Sequence, residues 1–206
     1  MARQEAVGRR VGILGGTFDP PHIGHLVTAT RVAEQFELDE VLLVVANVPW
    51  QKVGTREISP ARDRLDMVRA CVADVDGLTA CDLEIRRGGD SYTVETLEEL
   101  RRARPRDELV LILGSDAAAA LDTWHRADDL RALCRLAVVE RTGATVVVPR
   151  GFEFDVADVP RLEVSSTELR RRVMSRLPVR FLVPDAAISL IGERRLYRVG
   201  RDGDGH

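Results

Sequence analysis

Short, uninterrupted apolar runs separated by stretches of helical periodicity constrain this chain more than any other feature. The runs lie at residues 11–14, 41–46, 109–113 and 136–139. Each is short for a helix and long enough for a strand. Between them the apolar positions recur at helical spacing, as Leu26, Ala29, Ala33 and Phe36 do after the first run and Leu65, Val68 and Val72 after the second. Strands without polar alternation are buried on both faces, and in such an alternating order it is helices that cover them.

The expected fold is therefore α/β: a Rossmann-like, doubly wound, mostly parallel sheet with a small C-terminal helical part. Further strands are expected at 78–85 and 145–148, and helices at 93–103, 117–121, 165–176 and 185–191. Ser59 and Pro60 are expected as N-cap and first residue of the second helix. Residues 142–160 show the least regular pattern. A single domain over 8–199 is expected, its helical part starting near 165, with 1–7 and 200–206 as flexible ends.

Composition narrows the class. The longest apolar run falls far short of the roughly 20 residues that cross a bilayer, and the N-terminus has no apolar signal core, so a cytoplasmic protein without a membrane partner is expected. Three cysteines, Cys71, Cys81 and Cys134, are widely spaced and form no Cys-x-x-Cys pair, which suggests neither a disulfide framework nor a zinc site. The net charge of −3 speaks against a nucleic-acid partner, although Arg101, Arg102, Arg104 and Arg106 form a local basic run. Of 30 basic residues only Lys52 is a lysine, which fits either a place where a compact ammonium is needed or chance.

In such a sheet ligands sit beyond the carboxyl ends of the strands, so the loops after Leu14, Ala46, Leu113 and Val164 carry the chemistry. The first reads Gly15-Gly16-Thr17-Phe18-Asp19-Pro20-Pro21-His22-Ile23-Gly24-His25. It matches neither the G-x-G-x-x-G nor the P-loop pattern. Its two glycines, the Thr17 hydroxyl and the amides of the following helix nevertheless suit phosphate. His22 and His25 fall on one helix face.

Before the last helical region, Ser165 and Glu168 form a capping-box pattern. Ser166, Thr167 and Arg170 add hydroxyls and a guanidinium at the same helix start, which suits a polyphosphate. At the fourth strand's carboxyl end, Gly114-Ser115-Asp116 could hold sugar hydroxyls, or Asp116 could simply cap the next helix.

The run from Gly15 to His25 resembles the signature of the HxGH nucleotidyltransferases, and several further pieces resemble one family within them, the bacterial nicotinate-mononucleotide adenylyltransferases. The resemblance covers nearly the whole chain, weakest at 142–160. It implies that Gly15, Gly16, Thr17, Phe18, His25, Gly114, Asp116, Ser166, Thr167 and Arg170 bind ATP. It further implies that His22, His25 and Lys52 act in catalysis, with Lys52 in Pro49-Trp50-Gln51-Lys52 meeting the phosphates of both substrates. Thr93 in Ser91-Tyr92-Thr93, together with Trp124, His125 and Arg141, would bind the acceptor, Trp124 by stacking on its pyridine ring. Thr142 stands where the family has a proline after Arg141.

The resemblance implies transfer of AMP from ATP to nicotinate mononucleotide, with Mg²⁺ held by ATP phosphates and water rather than by a protein cage. An adenylyltransferase acting on NMN or phosphopantetheine and a non-catalytic nucleotide-binding module are the alternatives. A homo-oligomer is left open.

Overall fold

The protein, described from a computed structural model over residues 8–49, 58–141 and 146–198, is built on one sheet of six strands. These are β1 (Arg10–Gly16), β2 (Glu40–Val45), β3 (Leu78–Cys81), β4 (Glu108–Gly114), β5 (Arg135–Arg141) and β6 (Phe154–Val159). Their order is β3-β2-β1-β4-β5-β6, and every pairing is parallel. From β1 the chain winds outward to β3, then returns across β1 and winds the other way. The strand order therefore reverses between β1 and β4, which opens a crevice at their carboxyl ends.

Eight helices surround the sheet among the described residues: α1 (Ile23–Gln35), α2 (Ala61–Val72), α3 (Leu83–Arg87), α4 (Thr93–Ala103), α5 (Ser115–Ala119), α6 (Leu130–Leu133), α7 (Ser166–Met174) and α8 (Asp185–Glu193). Successive side chains of a strand point to opposite faces, and the core divides accordingly. Leu109, Leu111 and Leu113 pack with Val94, Leu97 and Leu100 of α4, while Val110 and Ile112 pack with Ala29 and Val32 of α1 and Leu65 and Val68 of α2. At roughly 1.5–3 kcal/mol for each fully buried aliphatic side chain, the central strands are the most strongly held part of the molecule. A third cluster joins Met67 of α2 to Leu169, Val179, Val183, Ala187 and Ile191, and so seats the C-terminal helical part against α2.

The structure corrects several expected boundaries. The strand expected over 78–85 ends at Cys81, where its pairing with Val44 ends, and α3 follows with Leu83 and Glu84 buried. Five residues of mixed apolar character carry too few repeats to separate one helical turn from an extended run. Pro60 caps α2 instead of beginning it: its ψ of 139° is extended, and its carbonyl accepts the first helical bond from Arg64. The helix expected at 117–121 begins earlier, at Ser115, with Gly114 as its N-cap, so Asp116 does not cap it.

No strand forms at 146–148, and Thr145 lies outside the described residues. The sixth strand is instead Phe154–Val159, an edge strand carrying Asp155 and Asp158, with Phe154 and Val156 exposed and Ala157 and Val159 buried. Charges on an edge strand block further pairing, and they also hide it from a search for apolar runs. Gln35 closes this edge by exchanging two hydrogen bonds with the Asp158 backbone.

Candidate functional site

The crevice at the strand reversal holds two cavities that share Leu14, Ile112 and Gly114 as a common wall. One, of about 380 Å³, lies toward β5 and β6 and is lined by His22, Gly24, His25, Ser165, Ser166, Thr167 and Arg170, with Val139 and Pro160 behind them. The other, of about 270 Å³, lies toward β2 and is lined by Gly15, Gly16, Thr17, Glu84, Ser91, Tyr92, Thr93, Trp124 and His125.

The β1–α1 loop is shaped by local sterics. Gly15 and Gly16 are still strand residues, paired with Val44 and Val45. Phe18 takes a left-handed φ of 50° and buries its ring beneath Gly16, where a Cβ would lie 2.8 Å from the ring. A bulky residue in that region costs about 1–3 kcal/mol, a cost that burial of the ring offsets. Only glycine at position 16 leaves room for it. Phe18 therefore lines neither cavity with its side chain; its ring supports Gly16 and the edge of His25, whose centroid is 4.9 Å away.

His22 and His25 stack with their centroids 3.7 Å apart. The His22 amide donates to Nδ1 of His25 at 3.2 Å. That bond makes Nδ1 an acceptor, which in a neutral imidazole places the proton on Nε2. Opposite, the Ser165 hydroxyl caps α7 by accepting from the Glu168 amide at 3.2 Å. The reciprocal half of the expected capping box is absent: the Glu168 carboxylate is held by Arg171 at 2.8 Å. The N-termini of α1 and α7 thus open on one cavity with Arg170 beside them, and partial positive charge from both helices favours an anion there.

Long-range contacts clamp this loop in place. Arg170 donates to the Asp19 carbonyl at 2.7 Å and to the Thr167 hydroxyl at 3.1 Å, and Ser166 donates to the Pro20 carbonyl at 2.9 Å. The Tyr197 hydroxyl donates to the buried Asp19 carboxylate at 2.8 Å. Burial first, and then the neighbouring Asp19 charge, push the Tyr197 phenol far above its ordinary range, so it remains a donor.

Arg64, 1% exposed, donates to three carbonyls: Thr17 at 2.8 Å, Asn47 at 2.9 Å and Ser59 at 2.9 Å. One guanidinium therefore ties the loop after β1 to the loop after β2. The Asn47 amide in turn donates to the Ser91 hydroxyl at 2.8 Å, which links both loops to the start of α4.

Most residues expected from the sequence meet here. Gly15, Gly16, Thr17, Thr93, Trp124 and His125 line the smaller cavity, and His22, His25, Ser166, Thr167 and Arg170 line the larger. Gly114 belongs to both. Asp116 is exposed on the first turn of α5 and lines neither. Arg141 ends β5 opposite Val159, while Lys52 lies outside the described residues. Trp124 is half-buried against the core, and the rings of Tyr92 and His125 lie 4.3 Å apart beside it.

Arg64, Asp19, Tyr197 and Glu84 were not singled out by sequence. Arg64 did leave a signal, a charge four residues before Val68 on the apolar face of α2. The pairing of Asp19 with Tyr197 spans 178 positions and left none.

Among the described residues no group of three His, Cys, Asp or Glu side chains could hold a metal ion, and no helix is long and apolar enough to cross a membrane. The sequence profile of the cytidylyltransferase-like family matches residues 13–172. A probable nicotinate-nucleotide adenylyltransferase of Frankia casuarinae is 43% identical over 188 residues, covering 90% of this chain and 98% of that protein. One of Exiguobacterium sibiricum is 39% identical over 188 residues, covering 91% and 98%. In fold, the chain is similar to the Plasmodium falciparum nicotinic acid mononucleotide adenylyltransferase complexed with NaAD, with a TM-score of 0.75 at 17% identity over 92% of this chain and 97% of that one.

Proposed function

The chain belongs to the cytidylyltransferase-like family and, within it, to the nicotinate-nucleotide adenylyltransferases, and from that premise we propose which of its own groups carry the reaction. The enzyme transfers AMP from ATP to nicotinate mononucleotide, giving nicotinate adenine dinucleotide and pyrophosphate in NAD biosynthesis. The observation that carries the residue assignment is the pair of cavities meeting along Leu14, Ile112 and Gly114. Two anionic substrates can approach from opposite sides and react at the shared wall.

The nucleophile is the acceptor's phosphate monoester, whose second pKa is about 6, so it is already ionised at neutral pH and needs no general base. What the reaction needs is alignment and charge stabilisation. In this reading ATP occupies the larger cavity. The N-terminus of α7, Ser166, Thr167 and Arg170 hold its β- and γ-phosphates. Nε2–H of His25, backed by His22, stabilises charge that grows on the transferring phosphate and the leaving pyrophosphate. Gly15, Gly16 and Thr17 follow Leu14 of the shared wall along the smaller cavity, and their backbone would admit the α-phosphate. Lys52 would meet both substrates' phosphates, and Asp116 and Arg141 complete the assignment from the family pattern.

The acceptor occupies the smaller cavity, with its ring on Trp124 and its carboxylate toward the starts of α4 and His125. A divalent cation serves ATP-dependent transfer of this kind. No cluster of protein ligands stands among the described residues, so Mg²⁺ would come with the ATP phosphates and would supply charge neutralisation there.

Pyrophosphate release with Mg·ATP and nicotinate mononucleotide, run beside NMN and phosphopantetheine, tests the acceptor assignment. Turnover confined to nicotinate mononucleotide is expected. Faster release with either rival would move the acceptor while leaving the phosphate-side assignment standing.

A further inference from the structure

The acceptor-side cavity contains one charged side chain that the reaction as derived does not use. Glu84 is 7% exposed, yet it lines the cavity that holds Trp124, Tyr92 and His125. Its Oε1 accepts from the Thr96 hydroxyl at 2.7 Å, and Thr96, itself buried, accepts from Arg87 at 3.2 Å. Arg87 does not neutralise Glu84, because its guanidinium is paired with Glu95 at 3.3 Å and Glu99 at 2.9 Å. Among the described residues no basic nitrogen lies in ion-pair range of Glu84.

A carboxylate taken from water without a countercharge is costly. One hydroxyl bond orients it and does not cancel its charge. Glu84 lines the cavity, so a cation that enters there is its natural partner. Trp124 lines the same cavity, and an indole is a second group that attracts a cation, through its ring quadrupole.

We propose that Glu84 is a binding residue of the acceptor subsite, its carboxylate supplying the countercharge for a cationic, N-glycosylated pyridinium ring. This rests on the acceptor reading above and deepens it. A nicotinate nucleotide carries two opposite charges on one ring: the ring nitrogen is positive and the carboxylate is negative. Backbone amides at one end of the subsite suit the second charge, and Glu84 with the Trp124 indole suits the first. The subsite therefore selects the oxidised ring. A 1,4-dihydropyridine of the same outline has a neutral nitrogen and loses this attraction.

The test compares KM for nicotinate mononucleotide and for its 1,4-dihydro form at saturating Mg·ATP, in the full-length wild type and in Glu84→Gln. In the wild type the cationic acceptor should have a KM about tenfold lower, the order expected of one charge pair in a partly solvated site. In Glu84→Gln the ratio should collapse toward one while the KM for ATP stays unchanged. A wild-type ratio near one, or a ratio that persists in Glu84→Gln, would overturn the proposal and leave Glu84 as a positioning partner of Thr96.

Should Glu84→Gln fail to fold, as circular dichroism would report, Glu84→Asp retracts the charge by one methylene. A reduced ratio then supports the proposal, and an unchanged one overturns it. Release of pyrophosphate with neither ring form in the wild type would overturn the acceptor reading itself, a different failure from an equal response to both forms.

Discussion

The two cavities share a wall and work by different physics. The larger is made of backbone dipoles and a guanidinium: two helix N-termini converge, and the side chains around them are braced by carbonyls of the β1–α1 loop. The smaller is made of a flat aromatic surface and a buried carboxylate. The first suits dispersed negative charge in a fixed position, whereas the second suits a ring with a cationic centre. One lesson is that a bisubstrate site can sort its ligands by charge before shape matters. Another is that Arg64, which touches both loops, sits where the two halves must stay in register.

The sharpest way to break this comparison is His25→Ala. Loss of a donor aimed at developing phosphate charge should lower kcat about 10²–10³-fold with the fold intact, as steady-state kinetics and circular dichroism would show. An unchanged kcat would remove the histidine stack from the phosphate side.

Arg64→Met should affect both cavities at once. It leaves three carbonyls without their donor, and a loss of roughly 3 kcal/mol is expected by urea denaturation, with KM rising for ATP and acceptor together. A rise for one substrate alone would show that Arg64 serves a single half.

Trp124→Ala should be one-sided. The acceptor KM should rise about tenfold from lost stacking, with the KM for ATP little changed. Equal loss for both would take Trp124 out of the acceptor subsite.

The smallest expected effect belongs to Tyr197→Phe, which removes one hydrogen bond to Asp19 and should cost about 1 kcal/mol at neutral pH. Its pH dependence follows from the raised phenol pKa. The folded state holds that proton more tightly than the unfolded chain, whose tyrosine titrates near 10. The wild type's advantage is therefore full below about pH 10 and is lost as the pH rises above it. Paired thermal melts at pH 8 and above pH 10 measure this; a difference constant across that range would contradict the buried donor.

Much of the site was legible because its determinants are local. His22 and His25 lie three apart at a helix start, and their stacking follows from that spacing. Ser165 caps α7 for the same reason. The strand after residue 142 was not legible: Phe154–Val159 carries two aspartates and exposes half of its apolar side chains, so it lacks the continuous run that marked the inner strands. Glu84 was hidden differently. The sequence around it reads as the end of a strand, and only the early end of β3 turns it into the cavity.

By itself the sequence determined the alternating order of strands and helices, the glycine-rich loop with its histidine pair, and the loops where ligands would be held. Each rests on interactions within a few residues, which chain spacing specifies. The tertiary structure decided that Arg64 would bind three carbonyls from two loops, that Tyr197 would reach Asp19, and that Glu84 would line a cavity instead of facing solvent. Those contacts join residues that only the winding of the sheet brings together, and the burial that gives a lone charge its meaning does not exist until that winding is complete.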